Sequence, residues 1–388
     1  MPNVLFINSG ILGQRTFAAF VRREFATGRG GIRARQIVLA DDLTFGERAM
    51  RRVLCARVWP DGAAGLYNLD LHRFRAELNA GLVARRRIRQ LEKEGERFDV
   101  LHFHRQATAY ASLPRMRRTP AIVSIDVTQG YLMGRARTPA EARSYLPNAW
   151  RERRIFSAAR LIVSTSAWAA EGLRARYPGC ETEIVVMPNP VLLDHFGADW
   201  ADERHARAWA DGRLPRVLFV GGEFARKGGP DLLEAWTRGG FADRARLDLV
   251  TSAPPPGGDV PGVTVHTGVR AHSPGWEALW RGADVFALPT RDEAFGIVFQ
   301  EAAAAGLPAI APHLNAVPEI VIDGETGVLV PPGDVDALIA ALDRLLASAG
   351  LRHEMGVRAR RRIEATAAPE VYRDRLAAMI HRVAGSAG

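Results

Sequence analysis

Two glutamates and a glycine-led helix start, joined by a pair of cations upstream, are the residues of this chain best suited to chemistry. Glu293 and Glu301 stand eight positions apart in RDEAFGIVFQE, residues 291–301, around a short apolar run that includes Phe295 and Gly296. That run follows DVFALPT, residues 284–290, which has the make-up of a buried strand. GIVFQEAAAA then fits a helix from about 296 to 305, stopped by Gly306 and Pro308. A helix that starts at Gly296 turns its free N–H groups toward the preceding loop, where a phosphate can bind. The absent side chain lets a ligand approach that backbone. Glu293 precedes the start and reaches a neutral, hydroxyl-rich ligand beside the phosphate. Glu301 lies about one and a half turns into the helix. A carboxylate accepts two hydroxyl hydrogen bonds, so it suits the diol of a ribose. Phosphate at the helix tip, sugar on one side and ribose on the other describe a nucleotide-sugar. The plain alternative is a surface helix with two ordinary glutamates. The strand before it, the Phe-Gly pair and the AGLPAIA that follows favour a site.

A second cluster is VGGEFARKGG, residues 220–229, which puts Arg226 and Lys227 in a glycine-flanked loop before a helix. Two cations there can neutralise a diphosphate leaving group, work that a metal does elsewhere. Neither a metal nor a cofactor is expected. In NSGILGQRTF, residues 8–17, Gly13 and Gln14 belong to a turn that opens a helix and can hold an acceptor, a phosphorylated one included. A plain tight turn is the alternative, and without a third glycine the turn is not the dinucleotide fingerprint. His102 and His104 share one face of a strand end. One is expected to line a ligand crevice and the other to be structural. Asp126 and Thr128 follow the next strand and are crevice candidates as well. GDVDAL, residues 333–338, contains Asp-x-Asp, but Asp334 reads as a helix N-cap.

These residues need elements to position them. Short apolar runs alternate with helical patterns along the whole chain, and the runs are continuous rather than alternating. That predicts parallel strands buried on both faces, hence an α/β fold. Six such runs fall in each half, from VLFI at 4–7 to EIVVMP at 183–188 and from RVLFVGG at 216–222 to GVLVPP at 327–332. A length of 388 residues accommodates two domains. The expected division is residues 1–190 for an acceptor-side Rossmann-like domain and 191–367 for a nucleotide-sugar donor domain with linker 191–214. Residues 368–388 are expected to form a helix that packs back on the first domain. Two doubly wound domains facing each other would place a ligand crevice at the carboxyl ends of both sheets.

The net charge is +9, and the excess of arginine lies in the first 200 residues. This points to an anionic partner, a membrane surface or a phosphorylated acceptor before nucleic acid, or else to a solvated arginine-rich surface. RRRIRQ, residues 85–90, lies on a basic helix that can meet a membrane or simply water. There is no secretory pattern or long apolar span, and Cys55 and Cys180 form no redox or metal spacing. A cytoplasmic location, peripheral on the inner face of the membrane if the basic half binds lipid, is the expectation.

EAFGIVFQE resembles the Glu-x7-Glu hallmark of the family 4 retaining glycosyltransferases of the GT-B fold. NAVPEIVIDGETGVLVPPGDVDAL, LIVSTSAWAAEGL and IVVMPNPVLLDHF are similar to the family's flanking stretches, so that the resemblance covers almost the whole chain. It implies transfer of a sugar from a nucleoside-diphosphate donor to an acceptor hydroxyl with retention, by front-side displacement. Carried over, Glu301 holds the ribose, Glu293 positions the donor sugar, and the amides around Phe295, Gly296, Ile297 and Val298 bind sugar hydroxyls and pyrophosphate. Base recognition is largely by backbone, near Val269. Two positions depart from the family. Gly222 stands where an arginine is usual, with Arg226 as its substitute, and Asp126 stands where many members carry a histidine. The acceptor would be a glycan, a glycolipid or a small molecule. A sugar-nucleotide epimerase or hydrolase and a degenerate GT-B scaffold are the alternatives.

Overall fold

The computed structural model describes residues 1–10, 14–41, 43–56, 71–136, 138–210, 212–255 and 258–385. The chain divides into two compact units, Met1–Pro190 together with the helix that begins at Pro369, and Val191–Ala368.

In the first unit six strands lie in the order β2-β1-β3-β4-β5-β6. They are β1 Asn3–Asn8, β2 Arg33–Val38, β3 Val100–His104, β4 Ala121–Ile125, β5 Leu161–Ser164 and β6 Ile184–Val186. In the second unit the order is β12-β11-β10-β7-β8-β9, with β7 Arg216–Val220, β8 Arg246–Thr251, β9 Val263–Thr267, β10 Val285–Ala287, β11 Ala309–Pro312 and β12 Gly327–Val330. All of these pairings are parallel.

The strands follow from their residues. β3, β4 and β5 are buried at every position, as a strand covered by helices on both faces must be. The edge strand β2 instead alternates, because one of its faces meets water. Every strand falls within or beside one of the apolar runs read from the sequence. The helix Pro369–Gly385 adds Tyr372 to the first unit's core, 5.1 Å from Phe20 and 6.1 Å from Phe17 between ring centroids. Arg373 on the same helix bonds the buried Glu24 at 3.0 Å.

Each sheet reverses its strand order once, between β1 and β3 and between β7 and β10. Chains leaving the carboxyl ends of such strands diverge to opposite faces and open a crevice there. The chemistry-bearing motifs lie in these loops.

Candidate functional site

In the second unit the loops after β7 and β10 meet. Gly228 has φ +76° and allows the approach, since a Cβ there would fall 1.9 Å from the Pro289 carbonyl oxygen. Thr290 is fully buried, and its hydroxyl bonds the carbonyls of Arg226 at 3.3 Å and Asp292 at 3.1 Å. The Arg291 amide donates to the Arg226 carbonyl at 3.0 Å. These contacts seat Lys227 against Glu293, whose carboxylate accepts from the Lys227 ammonium. The pair keeps contact with water, at 16% and 15% side-chain exposure, so a ligand can reach both charges. Asn315, on the loop after β11, donates to the Glu293 carbonyl at 2.7 Å and fixes the backbone beneath it.

The helix Ile297–Ala304 follows at once. Gly296 is its N-cap at φ +89°, and a Cβ there would come within 2.7 Å of Phe299 and 3.2 Å of Glu293. No side chain caps this end. The first amides, of Ile297 and Val298, therefore face the loop with the positive end of the helix dipole behind them. Phe295 is buried beside them, whereas Ile297 and Val298 are partly exposed. The other end of the helix is held by cations. Arg204 donates to the carbonyls of Ala305 and Gly306, and Arg360 to that of Ala304.

Glu301 is partly buried and has no side-chain hydrogen bond or ion pair among the described residues. Burial pushes its carboxyl up to about 7. A carboxylate held without a partner beside an uncapped helix start is suited to a ligand's hydroxyls.

Arg226 is placed differently from Lys227. Its guanidinium grips Glu223 with two bonds, at 3.0 and 2.9 Å, and donates to the Asp292 carbonyl at 2.8 Å. Its charge is largely matched by Glu223. Gly222 lies at the start of the same loop, where its carbonyl accepts from the Ser252 amide at 3.3 Å. Val269 is partly buried in the loop after β9, on the same carboxyl edge.

The first unit's carboxyl edge is built otherwise. His102 is fully buried, bonds the Ser124 hydroxyl at 2.7 Å, and has its pKa lowered to about 3 by desolvation. His104 is also buried, stacked flat on Phe17, and desolvation and His102 hold its pKa well below the usual value. The structure thus makes both histidines core residues, where one was expected to line a crevice. Thr128 is corrected likewise. It is buried, and its hydroxyl accepts from the Tyr131 amide at 3.1 Å as an N-cap. Asp126 is exposed at the end of β4. Gln14 opens the helix Gln14–Phe25, with its side-chain oxygen bonded by the Ser9 hydroxyl, and Gly13 lies outside the described residues.

What the sequence reading missed here is a buried polar network. Glu152 is fully buried and accepts from Gln106 at 2.7 Å, Tyr177 at 2.8 Å and the Gln129 amide at 2.9 and 3.0 Å. Desolvation raises its pKa to about 7 against the lowering effect of those donors. It ties the loop after β3 to the loop after β4. Arg105, at φ +92°, leads the first of these loops and pairs with Glu77. The pKa of Glu77 is raised by burial, with Arg105 opposing and Asp126 adding. No local pattern announces Glu152, because its partners, Gln106, Gln129 and Tyr177, come from three separate segments. Among the described residues no group of three or more His, Cys, Asp and Glu converges to hold a metal ion.

The chain is similar to known proteins. A family model described as Glycosyltransferase Family 4 matches residues 47–195, and one described as Glycosyl transferases group 1 matches residues 214–348. The D-inositol 3-phosphate glycosyltransferase of Xylanimonas cellulosilytica is 28% identical over 281 residues, 68% of this chain and 67% of that one. The GDP-mannose-dependent alpha-(1-6)-phosphatidylinositol monomannoside mannosyltransferase of Mycolicibacterium smegmatis is 31% identical over 268 residues, 64% of this chain and 67% of that one. Among solved structures, the sucrose-phosphate synthase of Thermosynechococcus elongatus matches 100% of both chains with a TM-score of 0.70 at 19% identity, a likeness of fold.

Proposed function

The chain belongs to the family 4 glycosyltransferases and has the GT-B fold, and from that membership we propose that it transfers a hexosyl group, with retention, from a nucleoside-diphosphate sugar to an acceptor hydroxyl. The observation that carries this reading is the joining of Lys227 to Glu293 at the β7–β10 switch point, directly before an uncapped helix start. In that arrangement the diphosphate lies against the Ile297 and Val298 amides and the Lys227 ammonium. Lys227 shares its charge between Glu293 and the phosphate. Glu293 orients the donor sugar through its hydroxyls and is not a nucleophile. Glu301 accepts from the ribose diol. Arg226, already matched by Glu223, adds less to the diphosphate than Lys227 does.

The reaction then needs charge stabilisation and positioning. As the bond from the anomeric carbon to the phosphate oxygen lengthens, negative charge grows on the diphosphate. A preorganised cation and backbone amides stabilise that charge most in the transition state. The departing phosphate oxygen takes the acceptor's proton as the hydroxyl attacks on the same face, which gives retention. Resemblance to relatives named for inositol phosphate and phosphatidylinositol acceptors supports a phosphorylated or lipid-linked polyol as the acceptor class.

The test is a thermal-shift screen against UDP, GDP, ADP, CMP and dTDP and their sugar conjugates. A ligand that binds only the native state raises the melting temperature. One nucleotide class is expected to do so, and Lys227→Ala is expected to abolish the shift. No shift with any of them overturns the reading. Release of free sugar at the full rate without any acceptor would favour a hydrolase instead.

A further inference from the structure

The second unit buries two arginines that no carboxylate answers. Arg204, on the helix Trp200–Ala210, is 5% exposed, and Arg352, on the helix Ala349–Ala367, is 9% exposed. Neither makes an ion pair among the described residues. The carboxylates around them are taken by others. Asp284 accepts from the Arg213 guanidinium at 2.8 Å and from the Arg216 amide at 2.7 Å. Glu203 accepts two bonds from Arg281, at 3.1 and 3.0 Å, and Asp202 bonds His353 at 2.7 Å.

Backbone carbonyls supply part of the missing balance. Arg204 Nη2 donates to Ala305 at 2.5 Å and Gly306 at 2.7 Å, and Arg352 Nη1 donates to Leu345 at 2.8 Å and Leu346 at 3.0 Å. These acceptors lie at the carboxyl ends of two helices, which carry only partial negative charge. Arg204 Nη1 is buried with no hydrogen-bond partner among the described residues. Desolvation lowers the pKa of Arg204 to about 10 and lowers that of Arg352 as well, the mark of buried charge short of a counter-ion.

A cavity of about 10 Å³ lies between these side chains, lined by Arg204, Arg352, Asp284, Gly306, His205 and His353 among others. Close packing keeps it small. A Cβ on Gly356 would fall 2.2 Å from the Gly306 carbonyl oxygen, and one on Gly306 would fall 3.1 Å from the Ala201 Cβ. Both helices therefore close on the turn at Gly306. The rings of His205 and His353, stacked 4.4 Å apart between centroids, form part of the wall. The space takes one water-sized guest, too little for a phosphate or sulfate.

We infer that this cavity is a halide site, holding one chloride ion against the guanidiniums of Arg204 and Arg352. The lining decides between chloride and water. Water has two protons to give, but each Asp284 oxygen and the Gly306 carbonyl already accept a bond. What the wall offers in surplus is N–H donors and positive charge, and chloride only accepts. The ion fixes Arg204, whose other terminal nitrogen holds the carboxyl end of the helix Ile297–Ala304. The site thus lies at the opposite end of that helix from Gly296, about 12 Å away by helical rise, and its geometry stands without the nucleotide-sugar reading.

The experiment is thermal unfolding of the full chain as chloride or bromide replaces gluconate at constant ionic strength, with no nucleotide present. General salt effects on burial act on wild type and variants alike, so the difference between them is read. Wild type should gain about 2–4 °C in Tm over Arg204→Met and over Arg352→Met, along a saturating curve, whatever the starting Tm of each variant. Wild-type crystals grown in bromide give a second measurement that needs no variant. An anomalous peak beside Arg204 Nη1 is expected there. Equal halide responses in wild type and variants overturn the proposal. So does a cavity that shows no bromide peak, in favour of a structural water. If neither variant folds, the bromide peak alone decides. Because no nucleotide enters these measurements, their failure leaves the transferase reading untouched, and a failed nucleotide screen leaves the halide site untouched.

Discussion

The two carboxyl edges of this molecule use their polar groups in opposite ways. At the second sheet, the Lys227–Glu293 pair stays in contact with water, Glu301 has no partner among the described residues, and the helix Ile297–Ala304 starts without a side-chain cap. At the first sheet, Glu152 is fully buried under four donor contacts, His102 and His104 are packed among phenylalanines, and Thr128 caps a helix. One edge leaves bonding capacity open. The other spends its capacity on fixing loop shape, leaving few side chains such as Asp126 exposed. A buried polar group without a partner costs about 1–3 kcal/mol. The second edge tolerates that openness because Lys227 and Glu293 remain in contact with water.

The sharpest way to break this contrast is Lys227→Ala. Turnover should fall about 10²- to 10³-fold, as on loss of one preorganised donor to a developing oxyanion, while circular dichroism stays native. Arg226→Ala, which loses a guanidinium already matched by Glu223, should cost less than Lys227→Ala. Equal losses would show that the Glu223 pair does not withdraw Arg226 from the diphosphate.

Next is Glu152→Gln, read by urea unfolding between pH 5 and pH 8. Its folded pKa, about 7, lies above the ordinary glutamate value of 4.5, so its neutral form is favoured in the fold. The stability tied to this group is therefore fully present below 4.5 and is lost as pH rises toward 7. The shift amounts to on the order of 3 kcal/mol. The variant should lack that part of the pH slope. Glu301 titrates in the same direction, so the difference between wild type and variant isolates Glu152. An unchanged slope would remove Glu152 as the ionisable centre of the first edge.

A smaller effect is expected from Glu301→Gln. A hydrogen bond to a charged group is worth about 1.5–3 kcal/mol, so donor affinity should drop roughly tenfold to a hundredfold in a calorimetric titration. Wild-type affinity for an intact nucleotide-sugar should also weaken as pH falls through about 7, where burial has placed this carboxyl. Protonation there replaces one hydroxyl acceptor with a donor. The variant should lack that dependence. Smallest is Thr128→Ala, expected to cost about 1 kcal/mol of stability as a lost N-cap, with the donor's Kd untouched.

The fold was legible because its signal is local. Continuous apolar runs such as VLFI and DVFALPT can be little else but strands covered on both faces, and strand–helix alternation leaves parallel pairing as the economical outcome. The start of the helix after β10 was legible for the same reason, since Gly296 and the alanine run that follows mark its ends. Partnership was not legible. That Arg226 turns to Glu223 while Lys227 turns to Glu293 depends on how two loops 66 residues apart approach through Gly228. Asn315 and Thr290 serve the same loops without belonging to a pattern. Two histidines at alternate strand positions look alike in sequence whether they face a crevice or the ring of Phe17. Only the helix Gln14–Phe25, laid over that face, settles which.

The helix that begins at Pro369 has a consequence for how the chain comes into being. Its Tyr372 fills the space beside Phe17 and Phe20, and its Arg373 answers the buried Glu24, yet the ribosome makes these residues after the whole of the second unit. Folding during synthesis is usually sequential, with earlier domains closing first. Here the earlier unit has to wait, its phenylalanines uncovered, while the later one has every strand it needs and can close. The second-made part of the protein is thus free to be the first finished, and emergence of the helix Pro369–Gly385 becomes the event that seals the first.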